Sequence, residues 1–396
     1  MAVSCHVAFG HYLRTLRERR GLALEDVWTL SQTFPESLNK GYLSRCENGK
    51  QKLALPKVVA VSRIYEVPSD VLVERLELDL ELEKIGGPPT EKLSWGQLRD
   101  AGTNALRHGH RWAAYAFFRD ATLKVAKAEL DKESYACVGE QIANSFTNCA
   151  TAGRSLGKYR YALQEYRYAE TSGSLGPDST ILINERLAAT YFCVGDHVSA
   201  ERHAKLALAH LEKHPESRFG AYLFEQQGFF LVRNRDYLEA IPWFQKAYDA
   251  FKKQGTVSEC ANVLIGLTDC YQESGNLGAA TRTLDIAKRI CDEHSLRRLK
   301  ALTLALQGIV DEMSARPEAA EENLRDALSI AKELNDRILR FKVEFYLYKH
   351  ALGNGKAAAA RSIRRRLDKL LPSVPNTVEQ VLYLKAIGNN QVSDKN

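Results

Sequence analysis

Apolar residues recur every three or four positions along almost the whole chain, and strict alternation of apolar and polar residues persists nowhere. That spacing lines apolar side chains along one stripe of a helix and leaves no half-buried strand. The pattern predicts an all-α protein. Its first stretch divides into five short helices. Phe9, Leu13 and Leu16 mark one that Gly21 stops, and Leu24–Ser31 gives a second, with Val27, Trp28 and Leu30 available to the core. Phe34-Pro35 interrupts the chain before a third helix, roughly 38–47, which Asn48-Gly49 terminates. Val58, Val59, Val61, Ile64 and Tyr65 belong to a fourth, and Pro68-Ser69-Asp70 starts a fifth near Val71.

The clearest punctuation follows, at Gly86-Gly87-Pro88-Pro89, where paired Gly and paired Pro end a helix and begin an extended connector. The expected organisation is an N-terminal domain over residues 1–70, a connecting helix and linker over 71–92, a long helical region over 93–388 and a short tail over 389–396. The connecting helix, Val71 to Glu83, is placed to transmit a change from one region to the other.

The helical region repeats. Gly109/Ala114, Gly157/Ala162, Gly195/Ala200 and Gly275/Ala280 share a five-residue offset, and Ala240 and Ala320 fall on the same grid without the glycine. The alanines are 48, 38, 40, 40 and 40 residues apart, with a further copy at Gly355/Ala360. Each unit resembles a tetratricopeptide-type helical hairpin, in which small residues let paired helices approach and Gly-Asp or Gly-Asn makes the turn. A period near 40 implies longer helices than is usual for that family. The resemblance implies a right-handed superhelical solenoid whose concave wall is lined by the first helix of each hairpin. The solvent-exposed positions projected onto that wall are Asn144, Thr147, Asn148, Arg154, Glu185, Arg186, Tyr222, Glu225, Gln226, Phe229, Arg233, Asn262, Asp269, Gln272 and Glu273. Asparagine side chains can bond both backbone groups of an extended peptide, so these are the candidate effector-binding residues.

At 396 residues the chain is too long for one compact core. Its net charge of +6 is mild, but residues 1–57 hold nine Lys and Arg against five Asp and Glu, while 58–85 hold three against seven. The basic excess sits on the first segment, where a phosphate-facing surface needs it. The eight cysteines form no CxxC pair and read as small core residues in a reducing compartment, the cytoplasm. No apolar run is long enough for a membrane span. Phosphate-binding, dinucleotide-binding, HExxH and nucleophile-elbow motifs are absent, so an enzyme, a cofactor and a metal site are not expected. His108-Gly109-His110 lacks an acidic or Cys neighbour, and the run Arg361, Arg364, Arg365, Arg366 reads as a solvated helix face.

The segment Leu43-Ser44-Arg45-Cys46-Glu47-Asn48-Gly49 resembles the signature of Xre-type (λ-repressor-like) helix-turn-helix domains. Phe9-Gly10, Leu13-Arg14, Leu16-Arg17 and Gly21-Leu22 match the first helix of that family, and Ile64 to Pro68 with Val71-Leu72 match its end. The resemblance covers residues 8–74. It implies that the third helix enters the major groove, with Asn39, Lys40, Tyr42, Ser44 and Arg45 reading bases. Arg14, Arg17, Asn48, Lys50 and Lys52 are then placed for phosphates. Glu47 is implied to brace the domain and Cys46 to be buried. Leu24 stands where the family usually has Gln, and the stretch 32–37 is longer than usual.

A helix-turn-helix domain ahead of tetratricopeptide-like hairpins resembles the peptide-responsive quorum-sensing regulators known as the RRNPP class. The resemblance implies a homodimer bound to a double-stranded DNA operator, with a short signalling peptide in the repeat groove coupled to DNA binding. The competing expectation is a protein-interaction scaffold whose helix-turn-helix domain is secondary or does not bind DNA; Leu24 and the longer loop favour it.

Overall fold

The computed structural model describes residues 4–128, 135–171, 175–374 and 377–393. The described chain is helical, with one short 3-10 turn at Leu371–Ser373 and no strand among the described residues. It falls into two compact units: Met1–Leu106 with Trp112–Gly176, and Pro177–Asn396 with Arg107–Arg111.

The first unit opens with five helices, as the sequence predicts: α1 (Cys5–Arg19), α2 (Leu24–Ser31), α3 (Lys40–Glu47), α4 (Leu55–Tyr65) and α5 (Ser69–Ile85). Gly21 and Gly86 both take positive φ and end α1 and α5. In the eight-residue α2 the inward positions are Val27 and Ser31, one turn apart. Trp28 and Leu30 therefore face outward, 40% and 46% exposed, and are not core residues as their hydrophobicity suggested. Four further helices complete the unit: α6 (Trp95–Arg107), α7 (Arg111–Ala128), α8 (Tyr135–Ser155) and α9 (Tyr159–Thr171).

The helix-turn-helix helices are fastened to these hairpins by buried charge. Asp79 of α5 is fully buried and accepts from Arg75 Nε at 2.9 Å, Arg119 Nη1 at 3.2 Å and Tyr115 Oη at 3.1 Å. The Arg75 guanidinium lies 4.7 Å from the Tyr12 ring and donates to Tyr161 Oη at 3.3 Å. Arg119 also donates to Asp120 at 2.7 Å. In a parallel contact, Arg19 forks onto Glu165 of α9 at 2.9 and 3.2 Å, and Tyr12 Oη donates to the same carboxylate at 3.0 Å. Such groups survive burial because each charge meets an opposite one with hydrogen bonds aligned.

The second unit stacks helical hairpins: α10 (Pro177–Val194) with α11 (His197–Lys213), α12 (Gly220–Asn234) with α13 (Tyr237–Gln254), α14 (Val257–Glu273) with α15 (Leu277–Glu293), α16 (Arg297–Met313) with α17 (Pro317–Glu333), and α18 (Arg337–Gly353) with α19 (Ala357–Leu370); α20 (Val378–Ser393) follows. The 40-residue grid is structural. Second helices begin at 197, 237, 277, 317 and 357, and the helices from α14 to α18 are each 17 residues long. Ala114, Ala162, Ala200, Ala240, Ala280, Ala320 and Ala360 are all buried.

The turns explain the glycines. Gly109, Gly157, Gly195, Gly275 and Gly355 have φ of +67° to +84°, a region that costs L-residues roughly 1–2 kcal/mol. Where the grid lacks glycine, Arg235 (φ 68°) and Ala315 (φ 55°) are held in the same conformation. Ala315→Gly is therefore expected to stabilise the second unit by about 0.5–1 kcal/mol, the relief of strain less the greater flexibility of glycine in the unfolded chain. Urea unfolding would read the gain as a higher midpoint; an unchanged or lower midpoint would contradict it.

Phe244 shows what the small residues are for. Its ring is fully buried between α12 and α14, where a Cβ on Gly228 or Gly266 would stand 2.7 or 2.8 Å from it. Described cysteines carry no disulfide: Cys5, Cys46, Cys149, Cys260, Cys270 and Cys291 are buried and Cys193 is half-buried. Cys137 lies among the side chains outside the description.

Candidate functional site

The recognition-like helix α3 is set by a close crossing with α1. A Cβ on Gly10 would sit 2.3 Å from the Cys46 carbonyl oxygen and 2.7 Å from that of Glu47, so only glycine permits this approach. Gly49, at φ 68°, turns the chain away from α3 against Val7. Glu47 is buried and braces the pair of helices. It accepts from Arg17 Nε at 2.7 Å and Arg17 Nη2 at 2.9 Å, with Arg14 Nε at 3.4 Å. Arg17 Nη1 donates to the Leu22 carbonyl at 2.7 Å.

These bonds reassign three residues. The Arg17 side chain is only 11% exposed and its donors are consumed inside the domain, so it is a bracing residue rather than a phosphate contact. Tyr42 is 7% exposed; its hydroxyl donates to the Lys52 carbonyl and accepts from Ala54 N, so it holds the turn after α3 and cannot reach a base. Asn39 is exposed, but its Oδ1 caps α3 by accepting from Tyr42 N at 2.7 Å. Arg14 is half-buried and donates to Asn48 Oδ1 at 2.9 Å.

What remains outward is Lys40 and Arg45, exposed, with Ser44 half-buried between them, and Asn48, Lys50 and Lys52 exposed beyond. Lys40 pairs with Glu25, and its Nζ lies 5.6 Å from the Trp28 ring. Arg45 Nε donates to Gln51 Oε1 at 2.8 Å. Sequence reasoning missed Gln51, which aims Arg45, and Lys57, whose Nζ lies 4.4 Å from the Tyr42 ring and donates to the Ser37 carbonyl. The only signal for Gln51 was a polar residue just past the helix, and for Lys57 a basic residue in the first turn of α4.

The projected groove residues divide between the units. In the first, Asn144, Asn148 and Arg154 on α8 are half-buried and Thr147 is buried. In the second, Arg186, Tyr222, Glu225, Arg233, Asn262 and Asp269 are half-buried, and Phe229 and Glu273 are exposed. Thr147, Glu185, Gln226 and Gln272 were expected in solvent and are not. In the second unit successive first helices pack side by side, so Glu185, Gln226 and Gln272 fall in the seam between them. Gln226 Nε2 donates across it to the Glu185 carbonyl at 2.8 Å, and Gln272 Nε2 to the Leu306 carbonyl at 3.3 Å.

Five projected residues do converge. Glu185 and Arg186 of α10, Tyr222 and Glu225 of α12 and Asn262 of α14 share one patch. Asn262 Nδ2 donates to Glu225 Oε1 at 2.8 Å, Tyr222 Oη to Glu259 at 3.0 Å, and the Arg186 guanidinium lies 5.2 Å from the Tyr222 ring. Asp269 belongs to a separate group; burial raises its carboxyl to about 6 despite Lys342, whose Nζ lies 3.0 Å from Glu379. Among the described residues no cluster of three or more His, Cys, Asp or Glu could hold a metal ion, and no helix is long and apolar enough to cross a membrane.

Residues 8–76 match the family model described as Helix-turn-helix domain. Response regulator aspartate phosphatase A of Bacillus subtilis (strain 168) is 26% identical over 128 residues, 31% of this chain and 33% of that one. Among solved structures, aspartyl phosphate phosphatase F from Bacillus subtilis is similar at a TM-score of 0.52 and 11% identity, with 95% of each chain covered. A Signal Transduction ATPase with Numerous Domains protein with a tetratricopeptide repeat sensor, from Pyrococcus horikoshii, is similar at a TM-score of 0.50 and 13% identity, covering 83% of this chain and 48% of that chain. The chain thus spans about a third of the curated relative and about half of the Pyrococcus protein. At these identities the structural likeness is one of fold. The molecule is a helix-turn-helix domain followed by a tetratricopeptide-like helical solenoid.

Proposed function

We propose that this protein is a cytoplasmic transcriptional regulator that binds a specific DNA operator as a homodimer and takes a short signalling peptide in the groove of its hairpins. The observation that carries the reading is the outer face of α3. Lys40, Ser44 and Arg45 point outward from a helix whose other face is locked by Glu47, and Asn48, Lys50 and Lys52 continue the polar surface. Lys40 and Arg45 suit guanine edges in the major groove, while Asn48, Lys50 and Lys52 suit phosphates. Asn39 contributes by capping the helix that carries them. A dimer would present two such helices about 34 Å apart, or a multiple, to the halves of an inverted repeat. The hairpins supply the effector wall, with the Glu185 to Asn262 patch at its centre. No catalytic role is assigned.

Selection of bound DNA from a random pool tests this. The expected result is an inverted repeat whose enrichment is lost when Lys40 and Arg45 are changed to Ala, each good contact being worth about 1–3 kcal/mol. Lys50→Ala should instead weaken all sequences alike and reduce the slope of log affinity against log salt by about one. A pool with no enriched motif would discard the regulator and leave the hairpins as a docking scaffold for a protein partner.

A further inference from the structure

The patch formed by α10, α12 and α14 is short of hydrogen-bond donors and of positive charge. Among the described residues, Glu185, Glu225 and Glu259 bring three carboxylates to it, against one guanidinium, Arg186. The available donors are already engaged. Asn262 serves Glu225 at 2.8 Å, and Tyr222 and Ser258 serve Glu259 at 3.0 and 2.5 Å. Arg186 Nη1 approaches Glu185 Oε2 at 3.1 Å, yet that oxygen receives no hydrogen bond. Gln226, whose amide nitrogen is spent on the Glu185 carbonyl, is left with Oε1 unbonded. Glu185 and Gln226 are only 4% and 5% exposed, so water does not freely supply what is missing. Buried acceptors are ordinarily satisfied, and two unsatisfied ones on residues that touch across neighbouring helices call for an explanation.

We propose that this patch is a cation subsite, where a positively charged group of the effector, an ammonium or a guanidinium, enters between Glu185 and Glu225. The inference rests on reading the first-helix wall as an effector groove and adds the chemical class of what binds there. A guanidinium or ammonium provides several N–H donors and a full charge, which is what Glu185 Oε2, Gln226 Oε1 and the carboxylate excess lack. A bare metal ion does not suit the site, because these carboxylates are not gathered at metal-ligand spacing.

The electrostatics make the subsite responsive to pH. Burial, with help from Glu185 and Glu259, raises the Glu225 carboxyl to about 7, against the opposing effects of Asn262 and Arg186. Glu225 is thus largely neutral at pH 6 and ionised at pH 8. Lysine and arginine side chains keep their charge across that range, whereas a peptide amino terminus, with a pKa near 8, begins to lose its own. A side-chain cation should therefore bind more tightly as pH rises from 6 to 8. An amino-terminal cation should gain little or weaken.

The test uses the full-length protein and random hexapeptide pools carrying either one fixed Lys or Arg or one fixed Gln. Each pool is prepared with a free and with an acetylated amino terminus, and retained peptides are read by mass spectrometry at pH 6 and 8. The expected result is retention of the cationic pools over the neutral ones by about tenfold or more. Glu185→Gln and Glu225→Gln, nearly the same shape, should bring that ratio close to one. Arg186→Gln should raise it, a change opposite in sign to any loss through misfolding. Acetylation that abolishes retention of both pools would assign the cation to the amino terminus; unchanged retention would assign it to a side chain. Equal retention of the fixed-Gln and cationic pools that survives acetylation, or a preference that survives both glutamate changes, would overturn the subsite and leave the groove standing. Retention of no peptide from any pool would remove the peptide groove and the subsite together.

Discussion

Asp79→Ala is expected to destabilise the first unit by about 3–5 kcal/mol. The carboxylate is fully buried and is the common acceptor for Arg75, Arg119 and Tyr115. Removing it leaves two guanidinium groups, each only 3% exposed, without their shared counter-charge. Neither can turn to solvent. Arg75 is enclosed by the rings of Tyr12, Tyr115 and Tyr161, although Arg119 retains Asp120. Such a loss is a large share of the stability of an ordinary domain. Asp100→Ala provides the internal control, since its partner Arg99 is exposed and surface pairs contribute about 0–1 kcal/mol. Urea unfolding of the two variants decides the matter: equal midpoints would mean that the buried network adds nothing.

Phe244→Ala should cost the second unit about 3–5 kcal/mol, the usual range for an aromatic ring removed from a packed core. The upper part of that range is expected here because the site cannot collapse. Glycines line the ring on both sides, Gly228 and Gly266, so neither flanking position has a side chain to swing into the space. Phe229, its ring 5.0 Å away edge-on, would lose its packing partner too. Hairpin arrays hold together through nearest-neighbour contacts, so weakening the α12–α14 seam should also broaden the unfolding transition. A midpoint shift below about 1 kcal/mol, with no broadening, would show that the ring is not the wedge between these helices.

How much of this was legible in the sequence depends on whether a feature is periodic. The 40-residue grid could be read because Gly at the turn and Ala five residues later each have a local steric cause. Arg235 and Ala315 could not, because nothing about those residue types announces a left-handed backbone. The helix-turn-helix domain was legible through its resemblance to a known family, down to Glu47 as its brace. The two-sidedness of α3 was not. The resemblance put Tyr42 and Arg17 on the DNA-facing side, and only the turn after α3 and the fork onto Glu47 pull them in. The network around Asp79 was the least legible part. Within 71–83 the sequence shows charges interleaved with leucines, which reads as an amphipathic connector. In the structure the buried line of α5 is Val71, Leu72, Arg75, Leu78, Asp79 and Leu82, with the charges inside. A charge that is buried with its partner leaves no hydrophobic signal. The groove shared this difficulty: a polar inner position looks alike in sequence whether it faces the lumen or, as with Gln226 and Gln272, stitches one hairpin to the next.

The constant spacing of the second unit has a consequence for how such a molecule can change its size. From α13 to α19, helix starts, turn conformations and inward alanines all recur at the same interval, so each seam presents the same kind of partner surface as the one before it. Length is therefore quantised. Adding or deleting whole periods would restore every contact between neighbours, whereas removing half a hairpin would set a first helix against a first helix and leave the turn residues out of phase. A groove built this way can be lengthened or shortened to suit its occupant without redesigning any single interface.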